Sequence, residues 1–354
     1  MKTIKVGVVG IGAIAHIFHL PNYKNHPQVE LAAVADIDFG RAQQAAEQWG
    51  AAAYPSAEAM FREAGLDAVS ICTFNTSHAE LAIAALEAGL DVLVEKPMTA
   101  TAEEAVSLVE TAERTGRILM VGMSSRYRYD VRALKGIAES GELGEIYFAK
   151  ARIIRRRGVP KGWFTSKELS GGGPMMDIGV HALDAVWWLM GMPEPKNVLG
   201  KLFHRIAPYE TRVNGFYEAA SEDNKAEGIY DVEDFGTAYI TFANGAALTV
   251  EASWAANGAQ DDAMKIELYG TKGGASLDPL FLFTESNLVP VESSLKVESN
   301  DYYKEEIDHF VQCVTRREQP VSDARQGLTI MRILDAIRVS SETNHAARAA
   351  SVEQ

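Results

Sequence analysis

The turn Gly10-Ile11-Gly12-Ala13-Ile14-Ala15 constrains this chain more than any other feature. The apolar run Ile4 to Val9 before it reads as a β-strand, and the segment from about Ile14 to Lys24 after it reads as a helix. Strand, Gly-x-Gly-x-x-Ala turn and helix, in that order, make the dinucleotide fingerprint. Gly10 permits the tight turn, Gly12 lets the backbone approach a pyrophosphate, and small Ala15 lets the helix pack closely on the strand. Gly10, Gly12, Ala13 and Ile14 are therefore candidate cofactor-binding positions, with the helix N-terminus facing the anion. A second strand, Val29 to Ala35, ends in Asp36, 21 residues after Ala15. An acid there can accept hydrogen bonds from an adenosine ribose; the competing reading is that Asp36 caps the next helix. As a carboxylate it repels a 2′-phosphate, so NAD is expected, with NADP as the alternative because Arg41 can blunt that repulsion.

The same residues imitate a secretory signal, since Lys2 and Lys5 precede an apolar run ending in Ala13-Ile14-Ala15. Cleavage after Ala15 would destroy the fingerprint, so an unprocessed, cytoplasmic protein is expected. The uncharged stretch Val6 to Tyr23 contains His16, His19, Pro21, Asn22 and three glycines, which a membrane span disfavours. Against 48 Asp and Glu stand 34 Lys and Arg, a net charge of -14 that repels nucleic acid and anionic bilayers. Two cysteines, Cys72 and Cys313, have no ligand-spaced neighbours, which excludes a disulfide scaffold or thiolate zinc site and fits a reducing compartment.

A length of 354 residues implies two domains. Strand and helix alternate through Ala68 to Thr73, Ser77 to Ala88, Asp91 to Val94, Ala102 to Thr115 and Ile118 to Gly122, the pattern of a doubly wound parallel sheet. A helix from about Val131 to Ser140 and a strand Ile146 to Arg157 then open a second domain. Phe235 to Phe242 and Ala246 to Trp254, joined through Asn244-Gly245, read as a hairpin, and Ile266 to Tyr269 with Gly274 to Leu277 extend its sheet. The fold class expected is α/β: an N-terminal Rossmann domain over 1–124, then an α+β domain over 125–354 with a mostly antiparallel sheet. Amphipathic helices are expected at Tyr302 to Thr315 and Asp323 to Ser341, and Tyr217 to Asp231 reads as an exposed excursion.

In open α/β sheets ligands lie beyond the carboxyl ends of the strands. Thr73, Asn75 and His78 stand at the end of the third expected strand and can meet a nicotinamide; the competing reading is that Thr76 or Ser77 caps the following helix, with His78 on its first turn. Lys96, in Glu95-Lys96-Pro97 at the next strand end, can hold a substrate hydroxyl; the competing reading is a solvated lysine paired with Glu95. After Gly171-Gly172-Gly173-Pro174, Asp177, His181 and Asp184 recur at i, i+4 and i+7, one helix face carrying acid, imidazole and acid. A carboxylate one turn from an imidazole supports a general base, while Asp177 as N-cap and Asp184 as surface acid are the alternatives. A divalent metal ranks below a base, and no metal is assigned. Arg155 and Arg157 share a strand face and read as solvated ion-pair partners or as a site for an anionic substrate group.

Together these motifs resemble the glucose-fructose oxidoreductase / inositol dehydrogenase (Gfo/Idh/MocA) family over essentially the whole chain. The resemblance implies that Lys96 orients substrate and nicotinamide, that His181 is the general base, and that Asp177 contacts substrate or supports that base. It implies that Thr73, Asn75, His78 and Glu95 line the cofactor cleft, that Arg126 is a pocket residue, and that Trp163 stands near the pocket mouth, where it can stack on a sugar ring. It further implies that the C-terminal, mostly antiparallel sheet is large and open, and that a homodimer or homotetramer forms through it. The expected activity is NAD-dependent oxidation of a secondary hydroxyl of a sugar, cyclitol or related polyol. The rival readings are an NAD-dependent glycoside hydrolase and a non-catalytic dinucleotide sensor.

Overall fold

The structure, a computed structural model, describes residues 3–160, 162–207, 229–259, 261 and 263–349. Two compact units emerge, Met1–Tyr127 with Asp301–Met331, and Arg128–Asn300 with Arg332–Gln354. The first thus includes a late segment of the chain that a division at 124/125 leaves out.

In the first unit, β1 (Ile4–Val9), β2 (Val29–Ala35), β3 (Ala52–Tyr54), β4 (Ala68–Ile71), β5 (Asp91–Glu95) and β6 (Leu119–Gly122) form one parallel sheet ordered β3-β2-β1-β4-β5-β6. Strands β4, β5 and β6 are buried throughout, as strands covered on both faces must be, and they read as continuous apolar runs for that reason. The strand order reverses between β1 and β4, so their carboxyl ends flank the topological switch point where ligands bind in such sheets. The late helix Tyr302–Arg316 buries Ile307, Phe310, Val311 and Val314 in the same core as Val6, Val8, Leu93 and Tyr127. Its apolar stripe was expected; its partner was not.

In the second unit, β7 (Ile146–Ile154), β8 (Pro195–Phe203), β9 (Phe235–Phe242), β10 (Ala247–Ser253), β11 (Lys265–Gly270), β12 (Gly274–Leu277), β13 (Phe281–Ser286), β14 (Val289–Ser294) and β15 (Ala347–Arg348) form one sheet ordered β14-β13-β12-β11-β7-β10-β9-β8-β15. Only the β7–β10 pair is parallel. The β9–β10 hairpin turns at Gly245, whose φ of +87° suits glycine alone. Alternation puts Ala149, Ala151, Ala238, Ile240, Leu248 and Val250 on the buried face, which contacts the helix Val180–Leu189. Strand β7 ends at Ile154, three residues before the expected Arg157. The Arg155 and Arg157 guanidiniums lie beyond that end and donate to the carbonyls of Gly158 and Arg156, at 3.4 and 2.6 Å. Most of the excursion expected at Tyr217 to Asp231 lies outside the described residues.

Candidate functional site

The fingerprint turn is closed on one side and open on the other. Gly10 has φ +84°, and a Cβ there would sit 2.7 Å from the carbonyl carbon and oxygen of Cys72. At Gly12 a Cβ would meet nothing within 4 Å, the free approach that a pyrophosphate requires. Ala13 is exposed, Ile14 is half-buried against the core, and the helix opens with a π turn, Ala15–His19, before Leu20–Asn25. Asp36 is buried; its Oδ2 accepts the Ile11 N–H at 2.7 Å and its Oδ1 accepts the Asp38 N–H at 2.8 Å. The helix Phe39–Trp49 is capped instead by Asp38, whose side chain accepts the Arg41 N–H at 3.2 Å. The capping alternative for Asp36 therefore falls away, and the carboxylate ties the end of β2 to the fingerprint turn. Arg41 lies beside it, 3.7 Å from Oδ2. These residues fit a dinucleotide.

Beyond β4, Ser77 donates back to Thr73 Oγ1 and the Phe74 carbonyl, at 2.7 and 2.8 Å, and makes no cap bond to the helix His78–Glu87. Asn75 is buried in the same loop. His78, which the resemblance places along a cofactor cleft, is buried at the start of that helix. Its Nδ1 lies 2.8 Å from the Pro97 carbonyl oxygen and its Nε2 lies 3.1 Å from the Thr73 carbonyl oxygen, so the ring braces two loops. Burial pulls its pKa down against the opposing effect of those carbonyls. Beyond β5, Lys96 is half-buried, and its backbone N–H donates to Glu95 Oε2 at 3.2 Å. Glu95 itself is buried, with Oε1 2.9 Å from His19 Nε2.

Arg126, which the resemblance places in a pocket, is 1% exposed, and its Nη1 donates to the Val321 carbonyl at 2.6 Å and to Gln326 Oε1. Its guanidinium fastens the late segment to the end of β6.

In the second unit a further π turn, Met175–Gly179, precedes the helix Val180–Leu189. Asp177 and His181 are half-buried, whereas Asp184 is buried. Asp184 is thus no surface acid, and the regular i, i+4, i+7 face is altered because a π turn spends an extra residue. Two supports escape a reading of local spacing. Trp254, fully buried just past β10, donates its indole N–H to Asp177 Oδ2 at 3.0 Å and fixes that carboxylate. Glu233, also buried, accepts the N–H groups of Gly173 and Met175 at 2.9 and 3.3 Å. Burial pushes the Glu233 carboxyl upward while those N–H bonds oppose the shift. A Cβ on Gly173 would sit 2.2 Å from the Glu233 carbonyl oxygen, so glycine is required there for contact and not for φ. Both partners lie just outside strands, Glu233 before β9 and Trp254 after β10, far along the chain from Asp177, and no local signal points to them. Trp163, in the turn Gly162–Thr165, is half-buried and stacks on Phe164 with ring centroids 4.0 Å apart.

Among the described residues, no helix is long and apolar enough to cross a membrane. A family model described as an oxidoreductase family with NAD-binding Rossmann fold (GFO/IDH/MocA) matches residues 4–123, and the GFO/IDH/MocA C-terminal domain matches residues 131–276. D-glucoside 3-dehydrogenase of Escherichia coli (strain K12) is 35% identical over 348 residues, covering 96% of each chain. The scyllo-inositol 2-dehydrogenase (NAD(+)) of Bacillus subtilis (strain 168) is 28% identical, over 90% of this chain and 88% of its own. Among solved structures, levoglucosan dehydrogenase in complex with NADH superposes with a TM-score of 0.86 at 22% identity, covering 99% of this chain and all of that one. An oxidoreductase domain protein from Kribbella flavida gives a TM-score of 0.85 at 22% identity, with the same coverage. At such identities these two likenesses speak for the fold.

Proposed function

The chain belongs to the GFO/IDH/MocA family of oxidoreductases with an NAD-binding Rossmann fold, and from that premise we propose that it oxidises a secondary hydroxyl of a glycoside, cyclitol or related polyol with NAD. The full-length similarity to a glucoside dehydrogenase carries this reading, and the similarity to an inositol dehydrogenase widens the substrate class. NAD, when bound, supplies the ring that takes the hydride from the substrate carbon. His181 removes the hydroxyl proton, Asp177 orients that imidazole or the substrate, and Lys96 donates to the developing alkoxide. Gly10, Gly12, Ala13 and Ile14 receive the pyrophosphate, and Thr73, Asn75 and His78 shape the loop beside the nicotinamide. Trp163 offers a ring face to the sugar.

The proposed preference for NAD is supported by the Asp36 carboxylate at the end of β2, anchored to the Ile11 N–H of the fingerprint turn, since a carboxylate beside the adenosine ribose would repel a 2′-phosphate. Arg41, paired with both Asp36 and Asp38, is the adjacent cation. The test follows nicotinamide absorbance with NAD or NADP over methyl β-D-glucopyranoside, myo-inositol, aldoses, sugar acids and sugar phosphates. Turnover is expected with NAD, and Asp36→Ala is expected to shift the NAD/NADP ratio of kcat/KM toward NADP by about tenfold or more. The variant is also expected to weaken both cofactors, since it releases the Ile11 N–H. A ratio unmoved by Asp36→Ala sinks the preference, and silence across the panel with intact NADH binding sinks the reaction.

The exposed face of the nine-stranded sheet is proposed to carry a second copy of the chain. Leu199, Tyr239, Thr249, Lys150 and Glu267 form one cross-strand row over β8, β9, β10, β7 and β11, with Leu199 and Tyr239 exposed. Light scattering is expected to return a dimer or tetramer, and a monomer at micromolar concentration would overturn it. A cytoplasmic site of action is supported by the two free, buried thiols, Cys72 and Cys313. Recovery of the protein outside the cytoplasm on fractionation would contradict that placement.

A further inference from the structure

Within the first unit an ionisable pair is buried beneath the Lys96 turn. His19 is 1% exposed and Glu95 6%, and His19 Nε2 lies 2.9 Å from Glu95 Oε1. A carboxylate accepts, so Nε2 carries the proton, and His19 Nδ1 is left buried without a hydrogen-bond partner. The second oxygen of Glu95 accepts the backbone N–H of Lys96 at 3.2 Å. One carboxylate thereby joins the helix that begins at the dinucleotide turn to the main chain of the lysine.

Two further features make room for this link. His19 closes the π turn Ala15–His19, where the extra residue turns the imidazole inward while Ile17 stays 61% exposed. On the far side, β6 carries glycine at position 122; a Cβ there would lie 3.3 Å from both Cδ and Oε2 of Glu95. Stability is a poor reason for such a pair, because buried ion pairs rarely outdo apolar side chains of the same size. Half a hydrogen-bonding ring left unsatisfied adds to the cost. What the pair does supply is direction.

We propose that His19 and Glu95 are positioning residues, a buried bridge that fixes the Lys96 backbone, and hence its side chain, relative to the dinucleotide helix. His78 holds the same turn from its other side through the Pro97 carbonyl. The proposal rests on the reading of Lys96 given above, but its test follows the lysine itself and needs no substrate.

Lysine amines of the full chain are reductively 13C-dimethylated, and the Lys96 resonance is identified by its loss in Lys96→Arg. His19→Leu is expected to move that resonance to the envelope of exposed lysines and to narrow it. His19→Gln, whose amide still donates to Glu95, is expected to leave it in place. NADH affinity, read by nicotinamide fluorescence, is expected to stay within about threefold in both variants. A Lys96 resonance unmoved in folded His19→Leu overturns the proposal, as does one displaced equally in His19→Gln. Should His19→Leu fail to fold, Glu95→Gln replaces it: a shift there with none in His19→Gln supports the bridge, and no shift in either overturns it. If Lys96→Ala keeps full turnover on the substrates of the panel, the catalytic reading of Lys96 fails while the resonance still decides the bridge.

Discussion

His181→Ala is expected to lower kcat by about 10²- to 10⁴-fold, the range a positioned general base contributes, while NADH binding stays within about threefold. The expectation rests on the side chain and on its platform. An imidazole is the side chain best suited to take a hydroxyl proton near neutral pH and release it again. His181 is half-buried in the first turn of the helix Val180–Leu189, whose start is fixed from two sides. Glu233 holds Gly173 and Met175 through their N–H groups, and Trp254 holds Asp177 through its indole N–H. With that platform held by Glu233 and Trp254, the loss on removing the proposed base is expected to fall on kcat and to leave cofactor affinity alone. Asp177→Asn is the graded companion. Its amide oxygen still accepts from Trp254, so a smaller loss, of about tenfold, is expected if Asp177 acts through the imidazole. Steady-state kinetics on the substrate found in the panel read both variants, and a His181→Ala kcat within threefold of wild type would remove His181 from the reaction.

The pattern of what sequence makes legible follows from the range of the forces involved. The fingerprint, the strand ending at Asp36 and the strands ending near Thr73 and Lys96 are readable because parallel strands buried on both faces must be apolar along their length. Strand β3, Ala52-Ala53-Tyr54, is only three residues long and partly exposed, and it carries no such run. Strands β13 and β14 lie at one end of the second sheet and are largely exposed, so burial imposes little pattern on them. The helix Tyr302–Arg316 announces an apolar stripe, but a stripe does not name its partner, and only the fold reveals that it completes the first unit. The same limit applies at the site. Asp36, Lys96, Asp177 and His181 stand out by local spacing. Glu233, Trp254 and the inward turn of His19 depend on contacts between distant segments or on a π turn that composition does not encode. Arg126 is a further case: the family resemblance implies a pocket role, while the contacts of its guanidinium with Val321 and Gln326, about 200 residues away in sequence, carry no local signal.

Gly12→Val is expected to leave the fold unchanged and to weaken NADH binding by about 100-fold or more, whereas Gly10→Val is expected to damage the fold itself. The two glycines stand two residues apart and differ in what surrounds them. A Cβ at Gly10 would lie 2.7 Å from the Cys72 backbone and from Thr73 Cγ2, at a φ of +84° that an L side chain rarely adopts. Strain and overpacking of that kind cost about 2–6 kcal/mol together, a large share of the stability of a single domain. At Gly12 a Cβ would meet nothing within 4 Å, so a valine is expected to be accommodated and the melting temperature to stay close to wild type. The added carbons then occupy the space through which a pyrophosphate must approach the backbone N–H groups at the start of the helix. Fluorescence titration with NADH and a melting curve separate the two outcomes. Gly12→Val that melts normally and binds normally would show that the open side of the turn is not where the dinucleotide sits. Gly12→Val that melts like Gly10→Val would show instead that the turn is closed on both sides.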